Sequence, residues 1–419
     1  MTISMERRVV VTGMGVISPV GNNVETFWKN LLEGYCGIEL IKSIPTDDLP
    51  VKIAGEIKDF NPADYGIEAS FSRKQDKFTI YAVAAANQAM QQAGLNTGED
   101  GNIDPFRLGV YVGSGIGGFS TQVRETEKIL KDGPKWVSPL FIPTMIANIA
   151  AGNIAIRHKA CGPCLPVVTA CATSTHAIGE AFRAIKHGYA DAIIAGGSEA
   201  AVIPLAIAGF ANAKALSKAE DPKYASLPFS ADRGGFVIAE GAAILILEEY
   251  EHAVARGAEI IAEICGYGNT CDAYHVTAPN PDGTTQCAAI KMALNEAGYN
   301  SDDTLYINAH GTGTALNDVS ETKAFKMALG DDAYKAHISS TKGATGHMLG
   351  AAGAAEAIAT VLALKHGTVP PTINLTNPDP ELDLDYTPNK PVNADLTIAL
   401  SDSLGFGGHN GAIAFRKYR

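Results

Sequence analysis

The stretch VVTACATSTHAIGEAFRAIKHG, residues 167–188, runs from an apolar, strand-like segment into an alanine-rich segment that ends in Gly188. β-Branched residues, then helix formers and a closing glycine, predict a strand, a sharp turn and a helix. Cys171 lies at the turn, so its thiol is expected at the helix N-terminus. There the free N–H groups and the helix dipole would stabilise a thiolate and make the sulfur nucleophilic at neutral pH.

A lone cysteine in an apolar setting is more often a small buried hydrophobic residue. The neighbours of Cys171 favour chemistry instead, because Ala170 and Ala172 leave room for a substrate and Thr173 and Ser174 offer hydroxyl groups. A packed core would not need this combination.

The chain carries a weak internal duplication of this pattern. The related segments are residues 81–95, 108–115 and 171–188 in the first copy and residues 286–299, 305–311 and 350–367 in the second. Each set contains alanine-rich helices and an apolar strand that ends in a glycine turn. The duplication predicts a layered α/β fold of two related halves, residues 1–260 and 261–419, whose active loops meet at a pseudo-two-fold interface.

Two histidines in the second copy are framed by glycine-rich turns. His310 lies in NAHGTGT and His347 closes KGATGH. A buried, hydrogen-bonded histidine is the simpler explanation of each, but flanking glycines favour close backbone approach to a ligand over packing. One nucleophile with two such histidines predicts covalent acyl-transfer chemistry.

Composition excludes several classes of function. The chain has 419 residues, of which 46% are hydrophobic and 19% charged, with a formal net charge of -12. The negative charge argues against nucleic-acid binding. No uninterrupted apolar run is long enough to span a bilayer, so no membrane role is expected. The odd number of cysteines, seven, and their scattered positions predict a reduced, cytoplasmic protein.

The segment Cys161-Gly162-Pro163-Cys164 has the form of a thioredoxin-type redox pair. A redox CxxC opens a helix, whereas Pro166 opposes helix formation here. No second CxxC follows, so a zinc site is not expected either. We interpret the segment as a buried structural turn.

Six short motifs, five of which contain glycine, occur in a fixed order along nearly the whole chain. They are VTGMG at 11–15, GSGIGG at 113–118, TACAT at 169–173, HGTGT at 310–314, KGATGH at 342–347 and GFGG at 405–408. With them the chain resembles the β-ketoacyl-acyl-carrier-protein synthases, most closely the elongating condensing enzymes of the type II system. The resemblance implies a thiolase-like αβαβα fold, a homodimer, and no metal or organic cofactor, because the substrate brings its own pantetheine.

Relatives within this superfamily differ at single residues. A thiolase would carry a second cysteine in the C-terminal glycine loop, an initiating condensing enzyme would have asparagine in place of His347, and a chain-length factor would lack Cys171. His409 is a departure, because many bacterial type II enzymes have threonine there.

The resemblance implies a decarboxylative Claisen condensation. An acyl group passes from acyl carrier protein to Cys171, malonyl carrier protein loses CO2, and the enolate carbon attacks the thioester to give a 3-oxoacyl product two carbons longer. A polyketide ketosynthase would share every catalytic residue. A non-catalytic partner subunit that binds carrier protein is a third alternative, against which the intact Cys171 argues.

The resemblance also implies a role for each catalytic residue. The N–H groups of Cys171 and Phe406 would form an oxyanion hole, and Phe406 would swing as a gate. His310 and His347 would donate hydrogen bonds to the enolate. Lys342 would order the loop before His347, and we expect Glu321 as its ionic partner.

Four further residues are expected to contact substrate. Thr312 and Thr314 would hydrogen-bond the phosphopantetheine arm, although they can also cap the turn. Ile116 and Phe210 would line the acyl tunnel and limit chain length, and ordinary core packing explains both equally well.

Acyl carrier proteins are acidic, so a basic rim is expected at the tunnel mouth. The candidates are Arg73, Lys74, Lys77, Lys131, Lys135 and Lys214. Basic runs are also common as solvated faces, and both explanations stand. His176, one helical turn beyond Cys171, is interpreted as structural.

Overall fold

A computed structural model describes residues 7–418, and its main strands form one nine-stranded mixed sheet in the order β4-β5-β6-β1-β7-β13-β12-β8-β9. The strands are β1 (Val9–Ile17), β2 (Glu39–Leu40), β3 (Ile53–Ala54), β4 (Leu108–Gly113), β5 (Ala192–Glu199), β6 (Gly241–Glu249), β7 (Ala262–Cys271), β8 (Leu305–Asn308), β9 (His337–Ser339), β10 (Thr368–Val369), β11 (Val392–Asn393), β12 (Ile398–Gly405) and β13 (His409–Arg416).

The strand order shows the predicted duplication. β1 runs antiparallel to β6, β6 antiparallel to β5, and β5 parallel to β4. The second half repeats this pattern, since β7 is antiparallel to β13, β13 antiparallel to β12, and β12 parallel to β8. The halves join where β1 pairs with β7, from Val9 opposite Ile264 to Val11 opposite Ala262.

Helices cover both faces of each half. They are α1 (Val24–Leu32), α2 (Ala69–Ser72), α3 (Lys77–Ala93), α4 (Phe119–Asp132), α5 (Phe141–Met145), α6 (Ile149–His158), α7 (Thr173–Lys186), α8 (Pro204–Asn212), α9 (Tyr250–Ala255), α10 (Thr284–Glu296), α11 (Asn317–Leu329), α12 (Lys342–Thr345) and α13 (Ala352–His366). The boundary that we predict at 260/261 lies between α9 and β7.

The helices and the two halves of the sheet form the five layers of the predicted αβαβα fold. Helices α3 and α6 pack on the outside of the first half, and α10 and α11 on the outside of the second. Helices α7 and α13 pack against each other between the halves and touch strands of both. Every residue of α13 from Ala352 to Leu364 is buried, which explains why this helix reads as apolar all round.

Small residues let α7 and α13 approach closely. A Cβ atom added to Gly353 would lie 2.0 Å from Thr175 Oγ1, so only glycine fits at this crossing. The close approach brings the N-terminus of each central helix to the same place between the halves.

The CxxC segment runs beside β4 as a short extra strand. Val110 N donates to Pro163 O at 2.9 Å, and Leu165 N donates to Val110 O at 3.0 Å. The segment is therefore the structural turn that we predict. Both of its cysteines are free thiols and exposed, so the expectation that they are buried is wrong. The segment lies at the sheet edge, which leaves one side of it open.

Within residues 7–418, no helix has the length and apolar character that crossing a membrane requires.

Candidate active site

A cavity of about 280 Å³ opens where loops of the two halves meet. Its lining includes seven residues singled out from the sequence: Cys171, Lys214, His310, Thr312, Thr314, His347 and Phe406. The first half supplies Cys171 and Lys214, and the second half supplies the others. Motifs far apart in the chain are thus brought together as the duplication predicts.

Cys171 lies at the N-terminus of α7, as predicted. The 3₁₀ turn Ala170–Ala172 leads directly into this helix. Ala170 has a left-handed backbone with φ of 51°, a conformation that costs energy for any residue with a Cβ atom. This sharp turn directs the thiol of Cys171 into the cavity.

The environment of the thiol differs from our expectation. Cys171 is half-buried, and the atoms packed around its sulfur raise the pKa of the thiol to about 12. The charge of Lys342 and an N–H of Phe406 oppose this rise, and the carboxyl of Glu199 adds to it. The prediction of a free thiolate at neutral pH is wrong, because burial outweighs the groups that favour the anion. The sulfur must lose its proton as it attacks.

The turn between β12 and β13 brings the backbone N–H of Phe406 close to the sulfur of Cys171. This N–H favours the thiolate, which lowers the pKa of Cys171. A Cβ atom on Gly405 would lie 2.6 Å from Thr169 O and 3.3 Å from Cys171 N, so this turn reaches the nucleophile only because position 405 is glycine. Phe406 is followed by Gly407 and a further glycine, both with positive φ.

His310 has a defined tautomer. Lys342 Nζ lies 3.4 Å from His310 Nδ1 and also donates to the His310 carbonyl. An ammonium group has only donors, so Nδ1 accepts and the ring proton sits on Nε2. Nε2–H of His310 is therefore the free donor of the ring.

Lys342 pairs with Glu356 rather than with Glu321. The Lys342–Glu356 ion pair is buried, with side-chain exposures of 1% and 3%. Glu321 instead accepts the N–H of Gly311 at 2.9 Å and the side-chain amide of Asn317 at 3.1 Å. Glu356 is the one charged residue in the apolar stretch 352–364 of α13, a pattern that calls for a buried cationic partner. Sequence reasoning missed this pattern.

His347 faces His310 edge to face, with ring centroids 5.3 Å apart and an interplanar angle of 85°. Burial lowers the pKa of both rings well below the usual range, and Lys342 lowers both further. Both imidazoles are therefore neutral throughout the physiological range. Two neutral N–H donors next to one thiol can stabilise a developing enolate oxygen without changing charge themselves.

Aromatic rings connect His347 to Phe406. Phe236, which sequence reasoning missed, lies edge-on to His347 with centroids 5.0 Å apart. The ring centroid of Phe210 lies 5.5 Å from that of Phe236 and 6.2 Å from that of Phe406. Phe210 thus contacts the predicted gate residue from behind the cavity lining.

Ile116 is not part of the cavity lining. It is 36% exposed, and its N–H donates to Glu199 at 3.2 Å. Its role in an acyl tunnel stays a prediction. Thr312 and Thr314 do line the cavity, and their hydroxyl oxygens are 3.0 Å apart.

The basic candidates do not line one common cavity, and Lys77 lies in a surface pocket with Phe60 and Tyr81. Lys214 lines the cavity that holds Cys171. Arg73, Lys74 and Arg124 line a separate surface pocket of about 160 Å³. The basic rim stays a prediction.

Two family models cover most of the chain. The Beta-ketoacyl synthase N-terminal domain matches residues 6–253, and the Beta-ketoacyl synthase C-terminal domain matches residues 261–376. The chain belongs to the β-ketoacyl synthase family.

Curated relatives of this β-ketoacyl synthase match over nearly their whole length. A 3-oxoacyl-[acyl-carrier-protein] synthase 2 of Synechocystis sp. is 49% identical over 415 residues, 99% of each chain. A protein of the same name from Staphylococcus aureus is 47% identical over 416 residues, 99% of this chain and all of the relative.

Solved structures show the same fold. A type II PKS acyl-carrier protein in complex with its ketosynthase bound to the hexaketide matches with a TM-score of 0.91 and 36% identity, over 99% of this chain and 100% of that one. A β-ketoacyl synthase from Burkholderia phymatum matches with a TM-score of 0.90 and 34% identity, again over 99% and 100%.

Proposed function

We propose that this β-ketoacyl synthase is a 3-oxoacyl-acyl-carrier-protein synthase that elongates fatty acyl chains by two carbons. The observation that carries the proposal is the shared cavity, in which one thiol meets two neutral imidazoles and a backbone N–H aimed at the sulfur. The names of the relatives at 47–49% identity support the same substrate class.

In the first half-reaction Cys171 attacks the thioester of an acyl carrier protein. The N–H groups of Cys171 and Phe406 stabilise the oxyanion of the tetrahedral intermediate. The bond from the acyl carbon to the pantetheine sulfur breaks, and the proton of the Cys171 thiol ends on the departing thiol. One thiol enters and one leaves, so the exchange needs no net uptake or release of a proton.

In the second half-reaction malonyl carrier protein loses CO2. The electrons of the broken C–C bond form an enolate, whose oxygen accepts hydrogen bonds from His310 and His347. Lys342 holds His310 in the tautomer that donates through Nε2. The enolate carbon then attacks the acyl-Cys171 thioester, and the sulfur leaves as a thiolate that takes up one proton from water. Each N–H donor of this kind is typically worth about 3–4 kcal/mol of barrier.

Substrate contacts complete the proposal. Thr312 and Thr314 would bind the pantetheine arm from the cavity wall, and Phe210 would set the position of Phe406. A homodimer and docking of an acidic carrier protein on the basic rim belong to the same proposal. So does a cytoplasmic location, which the seven free cysteines support.

Intact-protein mass spectrometry tests the proposal. The protein is incubated with acyl carrier proteins of several chain lengths and then with malonyl carrier protein. We expect an acyl adduct that disappears as a 3-oxoacyl product forms, and no adduct on the variant Cys171→Ala. No adduct from any donor would refute the proposal and favour a non-catalytic partner subunit.

A polyketide ketosynthase is the second candidate, because a solved ketosynthase of a type II PKS shares the fold at 36% identity. The two candidates differ in what they extend. A fatty-acid enzyme should refuse a 3-oxoacyl carrier protein as acyl donor, whereas a polyketide enzyme should accept it and extend it again.

A further inference from the structure

We propose that His176 is a positioning residue. It holds the turn that carries Cys171 and the β12–β13 turn that carries Phe406 at a fixed distance, so that their two backbone N–H groups converge on one oxyanion. The inference rests on the proposed function, since it concerns the same tetrahedral intermediates. It assigns a specific mechanical role to a histidine that the sequence suggested was only structural.

The imidazole bridges two backbone segments of the site. Its Nδ1 lies 2.8 Å from Thr169 Oγ1, two residues before Cys171. Its Nε2 lies 3.3 Å from the carbonyl oxygen of Asn410, four residues after Phe406. The ring therefore connects the two segments that carry the oxyanion-hole N–H groups.

Hydrogen-bond chemistry fixes the tautomer. The Asn410 carbonyl can only accept, so Nε2 of His176 carries the proton, and Nδ1 accepts from the hydroxyl of Thr169. Burial lowers the pKa of His176 to about 4, with smaller contributions from His409 and Arg183. The neutral ring keeps both bonds throughout the physiological range.

Packing prevents the ring from turning. A Cβ atom on Gly411 would lie 2.9 Å from the ring atoms Cδ2 and Nε2. Tyr267 and His409 each stand edge-on to His176, with centroids 6.2 Å away. A buried ring held on three sides acts as a rigid spacer, which is how a supporting residue fixes site geometry.

The distance between the segments that carry Cys171 and Phe406 is critical because these two segments are already in contact. Gly405 approaches Thr169 so closely that no side chain fits between them. If the bridge is lost, either segment can move, and a displacement of about 1 Å can cost about 100-fold in rate. The loss of rate should affect the steps that use the oxyanion hole, such as acylation of Cys171. It should not affect malonyl decarboxylation, which uses His310 and His347.

Two substitutions separate the two bonds. His176→Gln keeps a donor near the Nε2 position and removes the acceptor for Thr169. His176→Asn keeps an acceptor near Nδ1 and removes the donor to Asn410. The matched control is His158→Gln, because His158 is a histidine of α6 whose pKa burial also lowers to about 4 and whose Nε2 lacks a hydrogen-bond partner within residues 7–418.

The experiment measures acylation of Cys171 by mass spectrometry and decarboxylation of malonyl carrier protein by CO2 release. We expect both His176 variants to slow acylation about 100-fold while decarboxylation stays within about threefold of wild type. The His158 variant should match wild type in both. Unchanged acylation, or an equal loss in both half-reactions, would overturn the inference.

Thr169→Val tests the inference if the His176 variants do not fold. It keeps the ring and removes only the hydroxyl bond, and acylation should fall about tenfold with decarboxylation unchanged. Unchanged acylation in this variant also overturns the inference. A wild-type protein that forms no acyl-enzyme refutes the proposed function, whereas an acylated wild type with unaffected variants refutes only the role of His176.

Discussion

Replacing Lys342 by methionine should destabilise the protein in a way that depends on pH. Lys342 and Glu356 form an ion pair deep between the halves. Lys342→Met fills a similar volume but leaves the Glu356 carboxylate without its counter-charge. Breaking a buried pair by removing one partner typically costs about 3–5 kcal/mol, and we expect that loss in the free energy of unfolding at pH 7.

The pH dependence follows from the direction of the Glu356 pKa. Burial raises the pKa of Glu356 above its usual value, and Lys342 opposes the rise. Without Lys342 the pKa of this carboxyl rises further, so the folded variant binds a proton that the unfolded chain releases. The stability that such a group contributes is fully present below the pKa it has in the unfolded chain. It is lost as the pH rises through the pKa that the group has in the folded protein. Relative to wild type, the variant should regain stability on acidification from pH 7, by at most about 1.4 kcal/mol per pH unit.

The assay is urea unfolding of both proteins at pH 7 and pH 5.5. The double variant Lys342→Met, Glu356→Leu is the control, because replacing both members of a buried pair by apolar residues is often neutral. It should recover the stability and lose the extra pH dependence. It should not recover malonyl decarboxylation, since nothing then fixes the tautomer of His310.

Two results would refute this reasoning. One is a loss below about 1 kcal/mol in Lys342→Met at pH 7, which would mean that the pair is exposed to water. The other is a variant with the same pH dependence as wild type, which would mean that Glu356 stays ionised without its partner.

Three further predictions concern the other side chains of the site. His310→Ala and His347→Ala should each lower the rate of malonyl decarboxylation by about 100- to 1,000-fold while acylation of Cys171 falls much less, and equal losses would contradict the donor role. Ile116→Phe should shorten the longest acyl chain that is accepted in a carrier-protein panel, and an unchanged profile would remove Ile116 from the tunnel. Glu199→Gln should increase alkylation of Cys171 by iodoacetamide above pH 7, because the Glu199 carboxylate raises the pKa of the thiol. The pKa of Glu199 is raised to about 7 by burial, so the difference should vanish below about pH 6, where wild-type Glu199 is neutral too, and a difference that persists there would contradict this account.

Local patterns in the sequence were sufficient to predict the architecture and most of the residues that line the cavity. The paired segments 171–188 and 350–367 predict helices that became α7 and α13. The glycine-framed His310 and His347 line the cavity with Cys171. These features depend on backbone conformation and residue size. Both are determined by residues close together in the sequence, so they can be predicted from it.

Tertiary structure decided the partners and the charge states. Glu321 and Glu356 are both acidic residues on helices, and only the packing of α13 between the halves selects Glu356 as the partner of Lys342. The thiol of Cys171 lies at a helix N-terminus as the sequence predicts, yet its pKa rises because residues from both halves enclose the sulfur. Burial and pairing depend on atoms that are distant in the sequence, so the order of residues does not reveal them.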